Sequence, residues 1–287
     1  MSGETDSPRV RLELTSRPEA ARLVRSMSSA AGEALGFDPE LLSDVNTAVS
    51  EACNNVIQHA YGDEPGPFSV DLALTTAGFE VRVRDHGRGI RQSAPENDGL
   101  KVGLALMSAV ADRAEFVRVP EGGTEVRLCF RGAAGASGAS ATSASHAPGD
   151  PAQVWCARLP SSLSGDVVLT VSPVELLGPV LGRIGRALAP SAGFSFDRCA
   201  DVYLVTDALG AHAKRAAEST SISAALGARD QLLEFAVSPL RIGASRLDAA
   251  TPHRGPEALA SLTDELTVSD VNGHETLRVA MRDHRRS

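Results

Sequence analysis

The chain has 287 residues, of which 43% are hydrophobic and 22% are charged, values typical of a soluble globular protein with room for two modest domains. Its net charge of −8 argues against a general nucleic-acid binder, because neutralising phosphates requires clustered Lys and Arg. No apolar run reaches the length of a membrane span, and the polar, acidic N-terminus is unlike a signal peptide. Four widely spaced cysteines without metal-binding spacing predict reduced thiols in a cytoplasmic protein.

One run of small residues divides the chain. Residues 132–150 consist largely of Gly, Ala and Ser, which cannot build a core, so we predict a flexible linker there. We therefore expect a disordered tail at 1–8, an N-terminal domain at 9–131 and a C-terminal domain at 151–287.

Apolar periodicity predicts the elements of the N-terminal domain. In chain order these are a strand at 10–14, a helix ending near Gly36, a helix from Pro39 to Tyr61, strands at 68–74 and 79–84, a loop at 85–103, a short helix near 104–112, and strands at 115–119 and 124–131. Strands with helices on one side predict an α/β sandwich of two layers.

Two polar residues mark the second predicted helix. Glu51 and Asn55 lie four positions apart and therefore share one helix face, which alone is typical of a solvated surface. The adjacent pair Asn54 and Asn55 is unusual in mid-helix, because the Asn side chain competes for backbone hydrogen bonds. An Asn oxygen is a suitable ligand for Mg²⁺, and a nearby Glu can deprotonate a nucleophile.

Three glycine-bearing segments follow this helix. Asp85 ends a predicted strand, where its carboxylate could accept a hydrogen bond from an amino group, and the glycines at 87 and 89 allow close backbone approach. Residues 99–107 are typical of a glycine loop that opens a helix, whose exposed N–H groups suit phosphate. Residues 122–124 form a hairpin turn. Each segment alone is also compatible with an ordinary turn or helix cap.

In this order, the segments together resemble the anti-sigma-factor serine/threonine kinases of the histidine-kinase-like ATPase superfamily, which have the Bergerat ATP-binding fold. Residues 48–61 resemble the N-box, 85–89 the first glycine box, 99–107 the second and 123–126 the closing one. The N-box is the most specific part, and the resemblance covers nearly all of residues 9–131.

The resemblance implies roles for individual residues. Glu51 matches the general base that activates the substrate serine, Asn55 matches the Mg²⁺ ligand, and Asp85 matches the carboxylate that reads adenine. The other cofactor-binding positions that it implies are Gly87 and Gly89 beside the nucleotide, Gly103 on the phosphate side and Thr124 beside the adenine pocket.

The second glycine box departs from the family pattern. Three residues separate Gly99 from Gly103, where the family has a tight Gly-x-Gly, and no arginine precedes the box. Lys101 could take the place of that phosphate-facing arginine, although a Lys is a point charge and lacks the guanidinium fork. ATP binding is therefore better supported by the sequence than phosphotransfer.

The function that the resemblance implies is that of a bacterial ATP- and Mg²⁺-dependent serine kinase. Such a protein phosphorylates a serine of an anti-sigma-antagonist protein and sequesters an RNA polymerase sigma factor, without binding nucleic acid or membrane. The alternative is an ATP-binding regulatory or anti-sigma module with little or no kinase activity. A histidine-kinase catalytic domain is disfavoured, because no helix with an acceptor histidine precedes the domain.

The C-terminal segment repeats the order of patterns in the N-terminal one. Asp201 and the apolar-periodic helix after it parallel Asp44 and its helix, an offset of 157 positions. We interpret 151–287 as a degenerate, non-catalytic copy of the same α/β fold, although two α/β halves with generic periodicities would also look alike.

The residues implied in ATP binding are not repeated. Counterparts of Glu51, Asn55 and Asp85 are, respectively, Ala208, His212 and a strand end that carries Ser238. By resemblance, single-domain kinases of this family act as homodimers. The sequence therefore leaves two arrangements open, a homodimer of N-terminal domains or an internal pseudo-dimer in which the tethered copy takes the partner's place.

Overall fold

A computed structural model describes residues 7–75, 78–89, 98–120, 122–131, 163–245 and 256–283. The predicted linker at 132–150 and most of the predicted tail lie outside these ranges. None of the helices described is long and apolar enough to cross a membrane.

The described residues of the first half form three α-helices and five strands. In chain order these are β1 (Arg9–Thr15), α1 (Ala20–Ala34), α2 (Pro39–Asn55), β2 (Pro67–Thr75), β3 (Gly78–Asp85), α3 (Asp98–Val110), β4 (Arg113–Arg118) and β5 (Thr124–Phe130). Helix α2 begins where Asp38 accepts a hydrogen bond from the N–H of Glu40 at 2.8 Å, with Pro39 in the first turn. It continues as a π-helical segment, Val56–Ala60, so the helix predicted from Pro39 to Tyr61 is confirmed to within one residue.

The second half of the described chain repeats this order. Its elements are β6 (Val167–Ser172), a 3₁₀ turn (Val174–Leu176), α4 (Leu177–Leu188), α5 (Phe196–Ala216), β7 (Ile222–Arg229), β8 (Leu232–Leu240), α6 (Pro256–Leu262), β9 (Glu265–Val271) and β10 (His274–Arg282). Apart from the 3₁₀ turn and the π-helical segment, strands and helices follow one another as in the first half.

The ten strands within the described ranges belong to one sheet, in the order β4-β5-β3-β2-β1-β6-β7-β8-β10-β9. Every neighbouring pair is antiparallel, and each half contributes five adjacent strands. The halves meet at the centre, where β1 pairs with β6 and Leu12 lies opposite Leu169.

The helices form a second layer on one face of the sheet. Along β1 the alternate residues Val10, Leu12 and Leu14 are buried, as a strand with one covered face requires. Helices α1 and α4 pack against each other above the central strands. The buried apolar residues of both halves form one continuous cluster, so the predicted two-layer α/β sandwich is present and its core runs through both halves.

Helix α3 differs from its prediction. It begins at Asp98, six positions before the predicted start near 104, so the predicted loop at 85–103 ends earlier. Gly103, which was predicted to lie in a glycine loop, is therefore part of the helix. In the structure Gly103 is a buried helical residue at a close helix crossing.

Candidate functional site

Helix α2 carries the first two predicted site residues. Its apolar face is buried, and Glu51 and Asn55 are half-buried beside that face. Asn55 is the last α-helical residue and stands directly before the π-helical segment. Segments of this kind occur often at functional sites, because they turn the following side chains out of the regular helical repeat. The buried Cys53 has a thiol whose pKa burial raises to about 12, so it is an unreactive packing residue.

Helix α3 approaches α2 at Glu51. A Cβ on Gly103 would lie 3.0 Å from Cδ of Glu51 and nearer still to its Oε1. Any larger residue at position 103 would therefore displace the carboxylate. Gly103 is the crossing point that holds Glu51 between two helices.

The same packing bears on the predicted phosphate contacts. Gly103 is well inside α3 (Asp98–Val110), so its N–H takes part in the helix, whereas the unsatisfied amides of a helix belong to its first four residues. A helix-end phosphate contact would thus come from the backbone of residues 98–101. The side chain of Lys101 lies outside the part of the structure that is described.

Asp85 ends β3 with a buried carboxylate. Only 4% of the residue is exposed, and the carboxylate accepts hydrogen bonds from the N–H groups of Gly87, at 2.8 Å, and Thr124. Burial raises the pKa of the Asp85 carboxyl, and the two N–H donors act in the opposite direction. A carboxylate has about four acceptor positions, so the two N–H donors do not use the full acceptor capacity of Asp85.

Two glycines let the backbone close around Asp85. A Cβ on Gly87 would lie 2.6 Å from the carbonyl carbon of Ala60, the last residue of the π-helical segment. A Cβ on Gly123 would lie 2.7 Å from the carbonyl carbon of Asp85, and its φ of +92° also favours glycine. Since the obstacles are backbone atoms, no side chain fits at either position.

The loop after Asp85 is attached to the end of α2. The N–H of Arg88 donates to the carbonyl of Ala60 at 2.9 Å. Gly89 has a φ of +71°, a left-handed conformation, and its Cα faces the carbonyl of Gly123. The first and closing glycine segments are therefore neighbours in space.

Tyr61 is a positioning residue to which the sequence analysis gave no role. Its hydroxyl donates to the carbonyl of Pro67 and accepts from the N–H of His86 at 2.8 Å, which joins the start of the loop to β2. Burial raises the pKa of the Tyr61 hydroxyl. The only sequence signal was its place at the end of the N-box-like run.

Arg118 is a second residue near the site without a sequence signal. Its Nε lies 4.0 Å from where a Cβ of Gly89 would be, and its side chain is exposed at the end of β4. It brings a guanidinium close to the first glycine segment. A guanidinium suits phosphate oxygens.

The fold thus gathers the predicted segments around one helix. Glu51 contacts α3, the π-helical segment contacts the loop at 85–89, and Asp85 joins that loop to Thr124 at the start of β5. Among the described residues, no group of three or more His, Cys, Asp and Glu side chains could hold a metal ion. A metal here would need the Asn55 amide oxygen together with oxygens of a bound ligand.

The corresponding region of the second half is built differently. His212 is 3% exposed, and its Nε2 lies 3.0 Å from Oγ of Ser245. The carboxylate of Glu275 accepts from the N–H of Ser245 at 2.9 Å and from the N–H of Gly243. Burial lowers the pKa of His212, as does the neighbouring Arg215, whereas Glu275 opposes them.

Residues 14–130 match the family model described as the histidine kinase-like ATPase domain. That part of the chain is similar to the histidine kinase-like ATPase domain. The match includes the N-box-like helix and all three glycine segments, so the family predicted from the residues is confirmed.

Curated relatives of this ATPase domain carry the name serine-protein kinase RsbW. The relative from Listeria monocytogenes is 36% identical over 80 residues, which are 28% of this chain and 51% of that protein. The relative from Bacillus velezensis is 35% identical over 79 residues, or 27% of this chain and 49% of that protein. The chain thus spans about half the length of the curated relatives it matches.

A solved structure of the RsbU and RsbW domains of a Mycobacterium tuberculosis protein can be superposed over 96% of this chain and 87% of that one. The identity is 10% and the TM-score is 0.26, too low for that superposition to support a shared arrangement of the ATPase domain and the second half.

Proposed function

We propose that this protein binds ATP with Mg²⁺ in the first half and is a serine kinase that regulates a sigma factor. Its substrate would be a serine of an anti-sigma-antagonist protein, and the kinase would also sequester the sigma factor. The ATPase family of residues 14–130 and the RsbW relatives support the ATP-dependent kinase class. The substrate and the sigma factor rest on the family resemblance.

The observation that carries ATP binding is the surroundings of Asp85. A buried carboxylate with acceptor capacity left over suits an exocyclic amino group such as that of adenine. The glycines at 87 and 123 leave no side chain between the backbone and a flat ligand. Gly89 and Thr124 lie close to Asp85, which supports a nucleotide ligand at this end of the sheet.

The remaining candidate residues have separate roles in binding Mg-ATP and in transferring its phosphoryl group. Asn55 would hold Mg²⁺ through its amide oxygen, and the amides at the start of α3 would face phosphate, with Lys101 as a further cation. Bound ATP supplies the phosphoryl group. Glu51 takes the proton of the substrate serine hydroxyl on its carboxylate as the serine oxygen becomes the nucleophile.

Calorimetric titration of the full chain with ATP, with and without Mg²⁺, tests the binding site. We expect Asp85→Asn to weaken binding, because the amide removes the charge and one acceptor position. Asp71→Asn is the matched control, since Asp71 is a partly buried carboxylate of the same sheet that is paired with Arg11 at 2.9 Å, away from the glycine segments. Equal affinities of wild type and Asp85→Asn would contradict the assignment.

Transfer is tested by incubating the chain with γ-labelled ATP and a candidate antagonist protein. Label on a serine of the antagonist that is lost in Glu51→Gln supports the kinase. The alternative, a regulatory ATP-binding module, is favoured by the packing of Glu51 against Gly103, which gives this carboxylate a structural contact. ATP binding without any labelled product would select that alternative.

A further inference from the structure

We propose that the second half is a built-in partner of the ATPase domain. The two halves form an internal pseudo-dimer, so the full chain is a monomer with a single nucleotide site. The pairing of the halves is argued from their contacts alone, and only the count of nucleotide sites rests on the proposed function.

The first observation is an approximate twofold relation between the halves. Helices α1 and α4 begin at Ala20 and Leu177, and helices α2 and α5 begin at Pro39 and Phe196, a spacing of 157 positions in both cases. Leu12 and Leu169, also 157 positions apart, lie directly opposite each other in the β1–β6 pair. A residue that pairs with its own counterpart lies on the axis of a symmetric interface.

The second observation is that the polar contacts across this interface are not exchangeable. Glu33 pairs with Arg183, but the counterpart of Arg183 in the first half, 157 positions earlier, is Ser26. A pair of identical first halves would therefore place Glu33 opposite a serine. The ion pair favours first half against second half.

A hydrogen bond across the interface also favours the pairing of a first half with a second half. Arg22 donates to Oγ of Ser191 at 2.9 Å. The first-half counterpart of Ser191 is Ala34, which has no acceptor in its side chain. Both contacts would be lost in a homotypic pair, and specificity is a difference of this kind between partners.

The third observation is that β1 has no edge left for another chain. It pairs with β2 on one side and with β6 on the other, residue by residue along its length. The edges of the sheet are β4 and β9. A second copy cannot add to β1 unless it displaces β6.

The fourth observation concerns the site in the second half. The loop at 241–245 is held between α5 and β10 by the His212–Ser245 contact and by the two N–H groups that donate to Glu275. Ser245 is 2% exposed. The loop that follows β8, as the loop at 86–89 follows β3, is thus fixed by protein groups, and Ala208 stands 157 positions after Glu51.

Sedimentation velocity of the full chain, from micromolar concentrations to a hundredfold higher, measures the association state. We expect a species of 29.9 kDa throughout. A dimer of twice that mass would overturn the proposal.

A cross-strand disulfide tests that pairing directly. Glu13 lies opposite Val168, so Glu13→Cys with Val168→Cys should oxidise to a bridged monomer on a non-reducing gel. Arg9→Cys with Val168→Cys is the matched control, because Arg9 pairs with Ser172, four positions away, and should not bridge. A bridged dimer, or no bridge in the first variant, would overturn the internal arrangement.

Calorimetry with Mg-ATP counts the sites. We expect a stoichiometry of one ATP per chain, and two would overturn the single-site inference. If no ATP binds at all, the proposed function fails, whereas the mass and the disulfide still decide whether the halves form an internal pseudo-dimer.

Discussion

Replacing Gly87 by alanine tests the close approach on which the candidate site depends. The new Cβ would lie 2.6 Å from the carbonyl carbon of Ala60, so the loop must move by roughly 1 Å to reach an ordinary contact of about 3.5 Å. That movement breaks the hydrogen bond from Arg88 to Ala60, worth ~1 kcal/mol, and pulls the Gly87 N–H from the Asp85 carboxylate, worth about 1.5–3 kcal/mol.

We expect the affinity for Mg-ATP to fall on the order of 10- to 100-fold, or ~1.4–2.8 kcal/mol, because the carboxylate is no longer fixed before binding. Calorimetry gives the affinity, and urea unfolding gives the loss of stability. Gly227→Ala is the control, since its Cβ would meet the nearest atom, Oε2 of Glu234, at 3.6 Å, an ordinary contact. If Gly87→Ala binds as tightly as the control, the close approach does not shape the site.

Four further outcomes are expected. Asp85→Asn should weaken Mg-ATP binding by about 1.5–3 kcal/mol in calorimetry, the worth of a hydrogen bond to a charged group, and an unchanged affinity would refute it. Asn55→Ala should abolish the difference between titrations with and without Mg²⁺, and a retained difference would show another ligand. Glu51→Gln should bind Mg-ATP normally and lose transfer of labelled phosphate, whereas equal losses would make Glu51 structural. Burial lowers the pKa of His212 from 6.5, so its contribution to stability is complete above pH 6.5 and decreases as the pH falls below it; His212→Asn should flatten this decrease in urea unfolding, and an unchanged profile would exclude His212 as its cause.

Many helices and strands of the first half could be predicted, because the sequence patterns that specify them lie within each element. The alternation in β1 and the Asp38-Pro39 cap of α2 each specify an element within a few residues. Strand β7 was not predicted, since Ile222–Arg229 is rich in alanine and glycine and five consecutive residues are buried, so no alternation appears. Burial on both faces is a property of the sheet, which a single segment does not reveal.

The candidate site was likewise predictable only where its signals are local in the sequence. The residue types and their order pointed to Asp85 and Asn55, because a carboxylate at a strand end and an Asn in mid-helix are unusual locally. The role of Gly103 depends on α3 crossing α2 at Glu51, and the role of Tyr61 depends on β2 lying beside the loop. Such contacts form between segments that are distant in the sequence, so they cannot be predicted from the spacing of residues along the chain.

The two halves also differ in a way that physical constraints explain, if they descend from one duplicated unit. Buried positions of α2 and of the π-helical segment after it are matched by buried positions of α5 at the spacing of 157, as the pairs Val45 and Val202, Ala48 and Val205, Val49 and Thr206, Ala52 and Leu209, and Val56 and Ala213 show. Replacing such a buried residue by a smaller or polar one lowers the free energy of unfolding, which is only marginal in most folds. Replacing Asn55, a half-buried residue that we propose as a ligand, is expected to cost the fold less. Under this hypothesis the second half retains its buried core, while the positions that correspond to Glu51 and Asn55 have changed to Ala208 and the buried His212.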